Sequence, residues 1–547
     1  MKIKFLFVVF LISIQSLFAQ QITGSWKGEV NYEGTKIPVI FNIEKVKDFY
    51  KSTTDSPLQQ VEGIPADKTT FENNELTIEI KSIDAIYKGK LEGQKINGTL
   101  TQAGVSLPLI LLPYKKPVKA TSAEVITLPE NLDKSLKNID DFLSYLEKNK
   151  AEAGEISIFR NGKEIYKRNF GQQNLPNLPN TDKIFQIGSI TKTMTAVMLF
   201  KLIEKKKLNL EDKLSKYFPE ISNAEKITIN QMLNHSAGLG DYVQGKEEVK
   251  WLVNQATDQQ IINHIKEQGS VFEPGSNSRY SNSGYYLLTK ILEKITKKTY
   301  AENLRKNFVK PLNLQDFYTA SQDPKNVFKP YQYEGSWKPV KDFDFNNVVG
   351  VGDIATTPSN LNVIINAFFA GKLVSENSLS KMLPKEDDVY GKGIIKVPFF
   401  SKIFYGHSGG TYGTNSLMIF NPEDQISFSY SINADKIGAN NFAIGILSLL
   451  YDQSYTYPTL NNEKVAVSKL EKYVGVYSTK DIPFDIKIFI RDEVLFGQGT
   501  NQQEFPLDFE ENDQFKYEKA GVKINFIPEK KQLQLMQGGG TILFDKK

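Results

Sequence analysis

The sequence predicts an α+β protein carrying all-β segments at both ends, and three observations lead there. Short apolar runs of period two, separated by turn residues, fill the first hundred or so positions. Helical spacing then takes over between an early hairpin and later strands, an arrangement that segregates helix from sheet instead of alternating them. From about Leu470 the period of two returns.

The first residues are set aside as a targeting segment. Lys2 and Lys4 precede the apolar run Phe5 to Ile14, polar Gln15 and Ser16 follow, and a small residue stands at Ala19. This is the layout of a secretory signal cleaved after Ala19, so residues 1–19 are read as signal peptide. A stretch of about 14 residues falls short of the roughly 20 that span a bilayer. The mature protein is therefore expected to be exported, periplasmic or secreted, with no stable membrane insertion.

About 530 residues then remain, too many for one core. Residues 20–116 read as an N-terminal β domain, from Ile37-Val39-Phe41-Ile43, Leu76-Ile78-Ile80 and Leu107-Leu109-Leu111, with Gly28, Gly34, Gly93 and Gly98 between the runs. Residues 117–129 lack periodicity and read as a linker. The central domain is placed at 130–457. Leu132, Leu136, Ile139, Phe142 and Leu146 have helical spacing, and Asn161-Gly162 between Ile156-Ile158 and Ile165-Tyr166 signals a type I′ hairpin. Further helices are expected at about 189–206, 283–296 and 441–451, and strands near 415–420 and 427–433. Residues 466–547 form a C-terminal β domain, with alternation at Phe484-Ile486-Ile488-Ile490, Val522-Ile524-Phe526 and Leu533-Leu535.

Composition excludes several function classes. Charged residues are 24% of the 547 and the net charge is +4, which gives no footprint for nucleic acid. Cysteine is absent, which removes disulfides, thiol nucleophiles and thiolate metal sites. The histidines are His235, His264 and His407, without the clustering a zinc hydrolase needs. No metal or cofactor is expected.

The chemistry concentrates in the central domain. Ser189-Ile190-Thr191-Lys192 opens an amphipathic helix, and residues three apart on a helix are neighbours, so the Lys192 amine faces the Ser189 hydroxyl. A helix N-terminus also offers free N–H groups to a developing oxyanion. Alone, Ser-x-x-Lys is weak, and a second copy stands at Ser378 to Lys381. Two companions decide. Tyr280-Ser281-Asn282 lies about 90 residues on, just before a helix, and His407-Ser408-Gly409, followed by Gly410, precedes a strand.

The order Ser-x-x-Lys, Tyr-x-Asn, His-x-Gly resembles that of the class C β-lactamases and the DD-peptidases and esterases related to them, the penicillin-recognising serine hydrolases. Leu233 to Leu239 and Gly350 to Thr356 resemble loops of the same family, and the likeness covers about residues 130 to 455. It implies a β-lactamase/transpeptidase-like central domain, an antiparallel sheet flanked by helices, with barrel-like β domains on either side. It also implies acyl transfer through an acyl-enzyme. Ser189 would attack a carbonyl, while Lys192 and Tyr280 manage the proton. Unshifted, an amine of pKa ~10.4 and a phenol near ~10 are both poor bases at pH 7. Packed together they are expected to titrate as a pair, each depressing the other's pKa, and either could take the serine proton. Asn282, His407, Ser408 and Gly409 would position the substrate, and the N–H groups of Ser189 and Gly410 would form the oxyanion hole. Many class C β-lactamases carry Lys where this chain has His407. Histidine is charged only partly at neutral pH, which tilts the expectation from β-lactams toward a peptide or ester. Peptidoglycan-derived or D-amino-acid peptides are the first expectation for substrate, then small esters.

Three rival readings are weighed. Gly406-His-Ser-Gly-Gly410 fits the Gly-x-Ser-x-Gly elbow, which would make Ser408 the nucleophile, but the elbow needs a following helix and a later histidine. Lys519-Ala-Gly521 imitates the third motif from within the C-terminal β region. A non-catalytic wall- or ligand-binding receptor would keep the fold without turnover, yet every reactive group is in place. His235 reads as a structural loop residue and His264 as helix surface.

Overall fold

A computed structural model describes residues 22–547 apart from 33–34, 47–48, 57–60, 81–82, 84, 103–104, 115–123, 177–182, 244–251, 386–387, 461–464, 480–484, 501, 503 and 538–539. The expected signal peptide and most of the expected linker lie outside the described residues. The described residues fall into two compact units, one running from 22 to 114 with Thr479, the other from 124 to 478 and from 485 to 547.

In the first unit, nine strands between Gly24 and Tyr114 form one antiparallel sheet. Strand Thr35–Val46 pairs with both Gly24–Tyr32 and Phe49–Ser56, so the path closes on itself as a barrel. The expected apolar alternation fills it: Phe41, Leu76, Ile78, Leu109 and Leu111 are buried together. Gly28 and Gly98 are not turn residues as expected; they stand inside strands. A Cβ on Gly28 would come 2.2 Å from the Ile110 carbonyl oxygen, and one on Gly98 would meet the Tyr87 hydroxyl at 2.5 Å. These glycines make room for close backbone packing and for a buried tyrosine, whose hydroxyl donates to the carbonyls of Ile96 and Leu109.

The central fold of the second unit is the α+β arrangement expected. Helix α1 (Asp133–Lys148) precedes the hairpin β1 (Glu152–Arg160) and β2 (Lys163–Phe170), which turns at Asn161 and Gly162 with φ of 52° and 74°, the type I′ signature. Helices α2 (Thr191–Glu204), α3 (Asn282–Thr296) and α4 (Pro358–Phe369) follow, then strands β3 (Ile395–Phe399), β4 (Lys402–Gly410), β5 (Asn415–Asn421) and β6 (Ile426–Asp435), and helix α5 (Ala439–Leu450). The antiparallel order is β2-β1-β6-β5-β4-β3, so the first hairpin pairs with the last strand and closes the domain around the intervening helices.

Both faces of this sheet are covered. Ile156, Ile158, Phe428, Tyr430 and Ile432 pack against Ile139, Phe142 and Leu146 of α1 and Phe442 and Ile446 of α5. The opposite face carries Ser157, Ser427 and Ser429, a pattern that reads as solvent-facing, yet all three are fully buried against α4. Asn362 donates to the Ser157 carbonyl and hydroxyl and accepts from Ser429, while Asn366 donates to Ser427. Hydrogen bonding replaces solvation there, which lets a polar strand face be buried.

The C-terminal sheet runs through nine strands from Gly475 to Lys546, with its first and last members, Phe505–Pro506 and Asp508–Glu511, joined through Leu507 alone. The barrel is thus nearly closed. Among the described residues no helix is long and apolar enough to cross a membrane.

Candidate active site

Ser189 sits in a single 3-10 turn, Gly188–Ile190, from which α2 departs at Thr191. Gly188 has φ +53°, and a Cβ there would lie 2.7 Å from the carbonyl oxygen and 2.8 Å from the nitrogen of Gly410. Glycine therefore fits both the left-handed turn and the approach of β4. Gly409 is equally constrained: a Cβ would fall 1.9 Å from the Ile187 carbonyl oxygen. The end of β4 is thus pressed onto the turn that carries Ser189, with the Ser408 side chain exposed beside it. The backbone at Gly188 and Ser189 is thereby in close contact with that at Gly409 and Gly410.

Lys192, the second residue of α2, is fully buried. Its Nζ lies 3.0 Å from Ser189 Oγ, 2.8 Å from Asn282 Oδ1 and 3.0 Å from the Val351 carbonyl oxygen. Burial pushes the amine down to about 7, opposed by the negative charge of Asp241. Nζ donates to all three, and once the amine gives up one proton the Asn282 and Val351 oxygens can keep its two N–H bonds while the lone pair faces Ser189 Oγ.

Asn282 is held in that orientation from behind. Its Nδ2 donates to Asp241 Oδ1 at 3.2 Å and Oδ2 at 3.0 Å, and its backbone N–H donates to Asp241 at 3.1 Å. The amide oxygen is therefore the atom turned toward Lys192.

Tyr280 lies with its ring 5.0 Å from Lys192 Nζ. Its hydroxyl is buried without an aligned hydrogen-bond partner. Mutual depression of the two pKa values does not occur. Burial drives the Tyr280 phenol up, and the adjacent Ser189 hydroxyl pulls it only partly back. Desolvation disfavours the charged form of each group, so the amine goes down and the phenol goes up.

His407 is buried, and burial lowers its imidazole to about 4, so at neutral pH it is uncharged rather than partly charged. Its Nδ1 lies 2.6 Å from the Ser408 carbonyl oxygen, which can only accept, so Nδ1 carries the proton. His235 is buried at φ +63° and its ring stacks on Tyr280 at 4.4 Å. The Ser281 N–H donates to its Nδ1 at 3.1 Å and the Arg279 N–H to its carbonyl oxygen at 2.9 Å, so His235 holds the chain on both sides of Tyr280. Tyr390 packs edge-on to His235 at 5.1 Å.

The structure thus gathers Ser189, Lys192, Tyr280 and Asn282 and lays the His407 to Gly410 strand beside them. Sequence reasoning missed Asp241, the Val351 carbonyl and the packing role of His235. Asp241 stands two residues beyond the Leu233 to Leu239 stretch already singled out, and Val351 lies inside Gly350 to Thr356, so the signal was adjacency to those loops. The rival nucleophile fails on geometry, since Ser408 is within a strand followed by another strand. Ser378 lies in the helix Glu376–Met382, where its N–H donates to the Ser375 cap, and is not part of this cluster, and Lys519 belongs to the C-terminal barrel.

A family model described as Beta-lactamase matches residues 139–446, more than half of the chain. The chain belongs to that family. As a β-lactamase-family member it is a serine hydrolase by fold and lineage. It is 28% identical over 339 residues to the penicillin-binding-like protein PbpX of Bacillus subtilis (strain 168), covering 60% of this chain and 81% of that protein. It is 26% identical over 315 residues to the teichoic acid D-alanine hydrolase of Staphylococcus aureus (strain MRSA252), covering 55% and 75%. Among solved structures it resembles the D-amino acid amidase of Ochrobactrum anthropi SV3, with TM-score 0.53, 23% identity and coverage of 58% and 98%. The octameric penicillin-binding protein homologue of Pyrococcus abyssi gives TM-score 0.52 and 22% identity, covering 75% of this chain and 99% of that one. At those identities the two structures bear on fold alone.

Proposed function

We propose that this chain hydrolyses an amide or ester of a D-amino acid, D-alanine first, through an acyl-enzyme on Ser189. The observation that carries the reading is the buried Lys192 amine, hydrogen-bonded to Ser189, Asn282 and a backbone carbonyl. Held near neutrality, Lys192 takes the Ser189 proton as Oγ bonds to the substrate carbonyl carbon. The oxyanion is stabilised by the N–H groups of Ser189 and Gly410. Tyr280, a neutral phenol, hydrogen-bonds the departing nitrogen or oxygen, and the proton held by Lys192 returns to that atom as the bond to carbon breaks. Water then adds to the Ser189 ester, with Lys192 taking its proton; as the bond between the acyl carbon and Ser189 Oγ breaks, Lys192 returns that proton to Oγ and the acid is released. Asn282 and Ser408 orient the substrate, and Gly409 keeps β4 close enough for the oxyanion site to exist.

Two observations support the substrate class. One relative is named as a hydrolase of D-alanine from teichoic acid. Uncharged His407 supplies no fixed cation for a substrate carboxylate at its position, which favours cleavage after a D-alanyl acyl group over β-lactam hydrolysis. The expected export of the chain would place it with such wall-derived substrates, whether teichoic acid esters or peptidoglycan-derived D-peptides. The test is a panel of D- and L-alanine p-nitroanilides, D-alanyl methyl ester and nitrocefin. Turnover of the D-alanyl compounds well above the L-isomer and nitrocefin is expected. Preference for nitrocefin, or none for the D configuration, would overturn the substrate assignment.

A further inference from the structure

The turn that follows the oxyanion strand is anchored from two sides. Thr411 N–H donates to the Thr414 carbonyl at 2.9 Å to close it, and Gly410 pairs with Asn415 across it. On one side the carboxylate of Asp342 accepts from the Tyr412 N–H at 3.1 Å. On the other, Asn415 Nδ2 donates to Asp435 Oδ2 at 3.1 Å, while the Asn415 amide oxygen stands 3.6 Å from where a Cβ on Gly410 would be.

Asp435 ends β6 and is buried, with its other oxygen accepting from the Gly438 N–H at 2.6 Å. Beside it Glu152 is also buried. Glu152 is raised well above the carboxylate range by desolvation and then by the Asp435 charge, and Lys519 acts in the opposite direction. Lys519 comes from the C-terminal barrel. Its Nζ lies 3.6 Å from Asp435 Oδ2, and its turn, Glu518–Ala520, packs on Gly438, where a Cβ would be 3.7 Å from the Lys519 Cα. The nearby Lys436 is committed elsewhere, with Nζ 3.2 Å from Asp508 and 4.2 Å from the Tyr333 ring centroid. Removing Lys519 would leave two buried carboxyl groups side by side, and the carboxylate that holds Asn415 would lose its counter-ion.

We propose that Lys519 is a positioning residue for the oxyanion hole, acting from the barrel through Asp435 and Asn415 on the Gly410 turn. The proposal rests on the reading of Ser189 and Gly410 given above. It assigns the C-terminal barrel a part in catalysis that its distance in sequence conceals, since the barrel's cation completes the charge balance on which the turn's geometry depends. Misplacement by a fraction of an ångström is enough to weaken an oxyanion contact without abolishing it.

The test is the rate at which a fluorophosphonate probe phosphonylates Ser189, with kinact and KI separated, because the probe's P–O oxygen occupies the oxyanion position. Lys519→Ala is expected to lower kinact on the order of 10-fold, below the ~10²- to 10³-fold that loss of an oxyanion donor costs. KI should be little changed, and Lys519→Arg should restore most of the rate. Lys338→Ala, which removes another contact between central domain and barrel at Asp492, is the control and should react like the parent. Parent-like kinact in a folded Lys519→Ala, or an equal loss in Lys338→Ala, would overturn the proposal while leaving the function of Ser189 intact. An unlabelled Ser189 in the parent would remove the catalytic reading itself, and the proposal with it.

Discussion

Asp241 touches neither substrate nor nucleophile in this account, yet it should set the pH at which the enzyme switches on. Its carboxylate favours the protonated form of Lys192 and also holds the Asn282 amide against that amine. Replacing it by Asn removes the charge with little change of volume. The path from amine through amide to carboxylate is at most about 8 Å, so at an effective dielectric of about 20 the interaction is worth about 2 kcal/mol, or about 1.5 pH units. The sign is fixed. Without the anion the ammonium is less favoured, the Lys192 pKa falls, and the acid limb of the pH profile moves down. Loss of the Asn282 hydrogen bond acts in the same direction. The assay is kcat/KM for D-alanine p-nitroanilide from pH 4.5 to 10, with the rate of fluorophosphonate labelling as a check on acylation. The parent should rise through a limb near pH 7, and Asp241→Asn should rise about one unit or more lower, with a reduced plateau because Asn282 is less well held. An unmoved or upward-shifted limb would refute the reasoning. A parent limb near pH 10 or above would transfer the base role to the Tyr280 phenolate.

Four further outcomes are expected. Native His407 resists protonation until about pH 4, whereas the unfolded chain takes that proton near ~6.5, so stability should fall as pH drops between those values; His407→Gln should be relatively less acid-sensitive by up to about 3 kcal/mol in denaturant titrations at pH 7 and pH 4.5. Gly188→Ala forces a Cβ against Gly410 at a positive φ and should cut acylation on the order of 10²-fold, measured as fluorophosphonate labelling of the folded protein. Asn362→Ala strands Ser157 and Ser429 inside the sheet–helix interface and should destabilise by about 2–4 kcal/mol in denaturant titration. His235→Ala removes the ring that supports Tyr280 and should lower kcat about tenfold or more with a smaller change in KM, by steady-state kinetics.

Those variants fall on both sides of what could be read in advance. Ser189, Lys192, Tyr280, Asn282 and the His407 to Gly410 strand were legible because the chemistry needs particular side chains at particular local spacings, and a helix or strand fixes their direction. The Asn161-Gly162 turn was legible for the same reason, since a type I′ hairpin needs positive φ at both central residues and Asn-Gly adopts it most readily. Charge states were not legible. His407 is uncharged and Tyr280 is raised because of burial, a property of the whole packed domain rather than of neighbours in sequence. The Val351 carbonyl carries no side-chain signal at all, and Asp241 acts through Asn282. The burial of the β6 serines depends on packing in the same way. Alternation with Ile426, Phe428 and Tyr430 suggests one wet face, but Asn362 and Asn366 supply the hydrogen bonds that water would otherwise make. Gly28 and Gly98 read as turns because glycine marks both turns and tight strand contacts, and only the position of Ile110 and Tyr87 across the barrel separates the two.

The most direct test of the central claim is the location of a covalent adduct. The protein is incubated with a fluorophosphonate at pH 8, digested, and its peptides are mapped by mass spectrometry beside Ser189→Ala and Lys192→Met variants. The account expects one adduct, on Ser189, absent from the first variant and formed at least about a hundredfold more slowly in the second. An adduct on Ser408, or labelling of Ser189 that does not depend on Lys192, would contradict it.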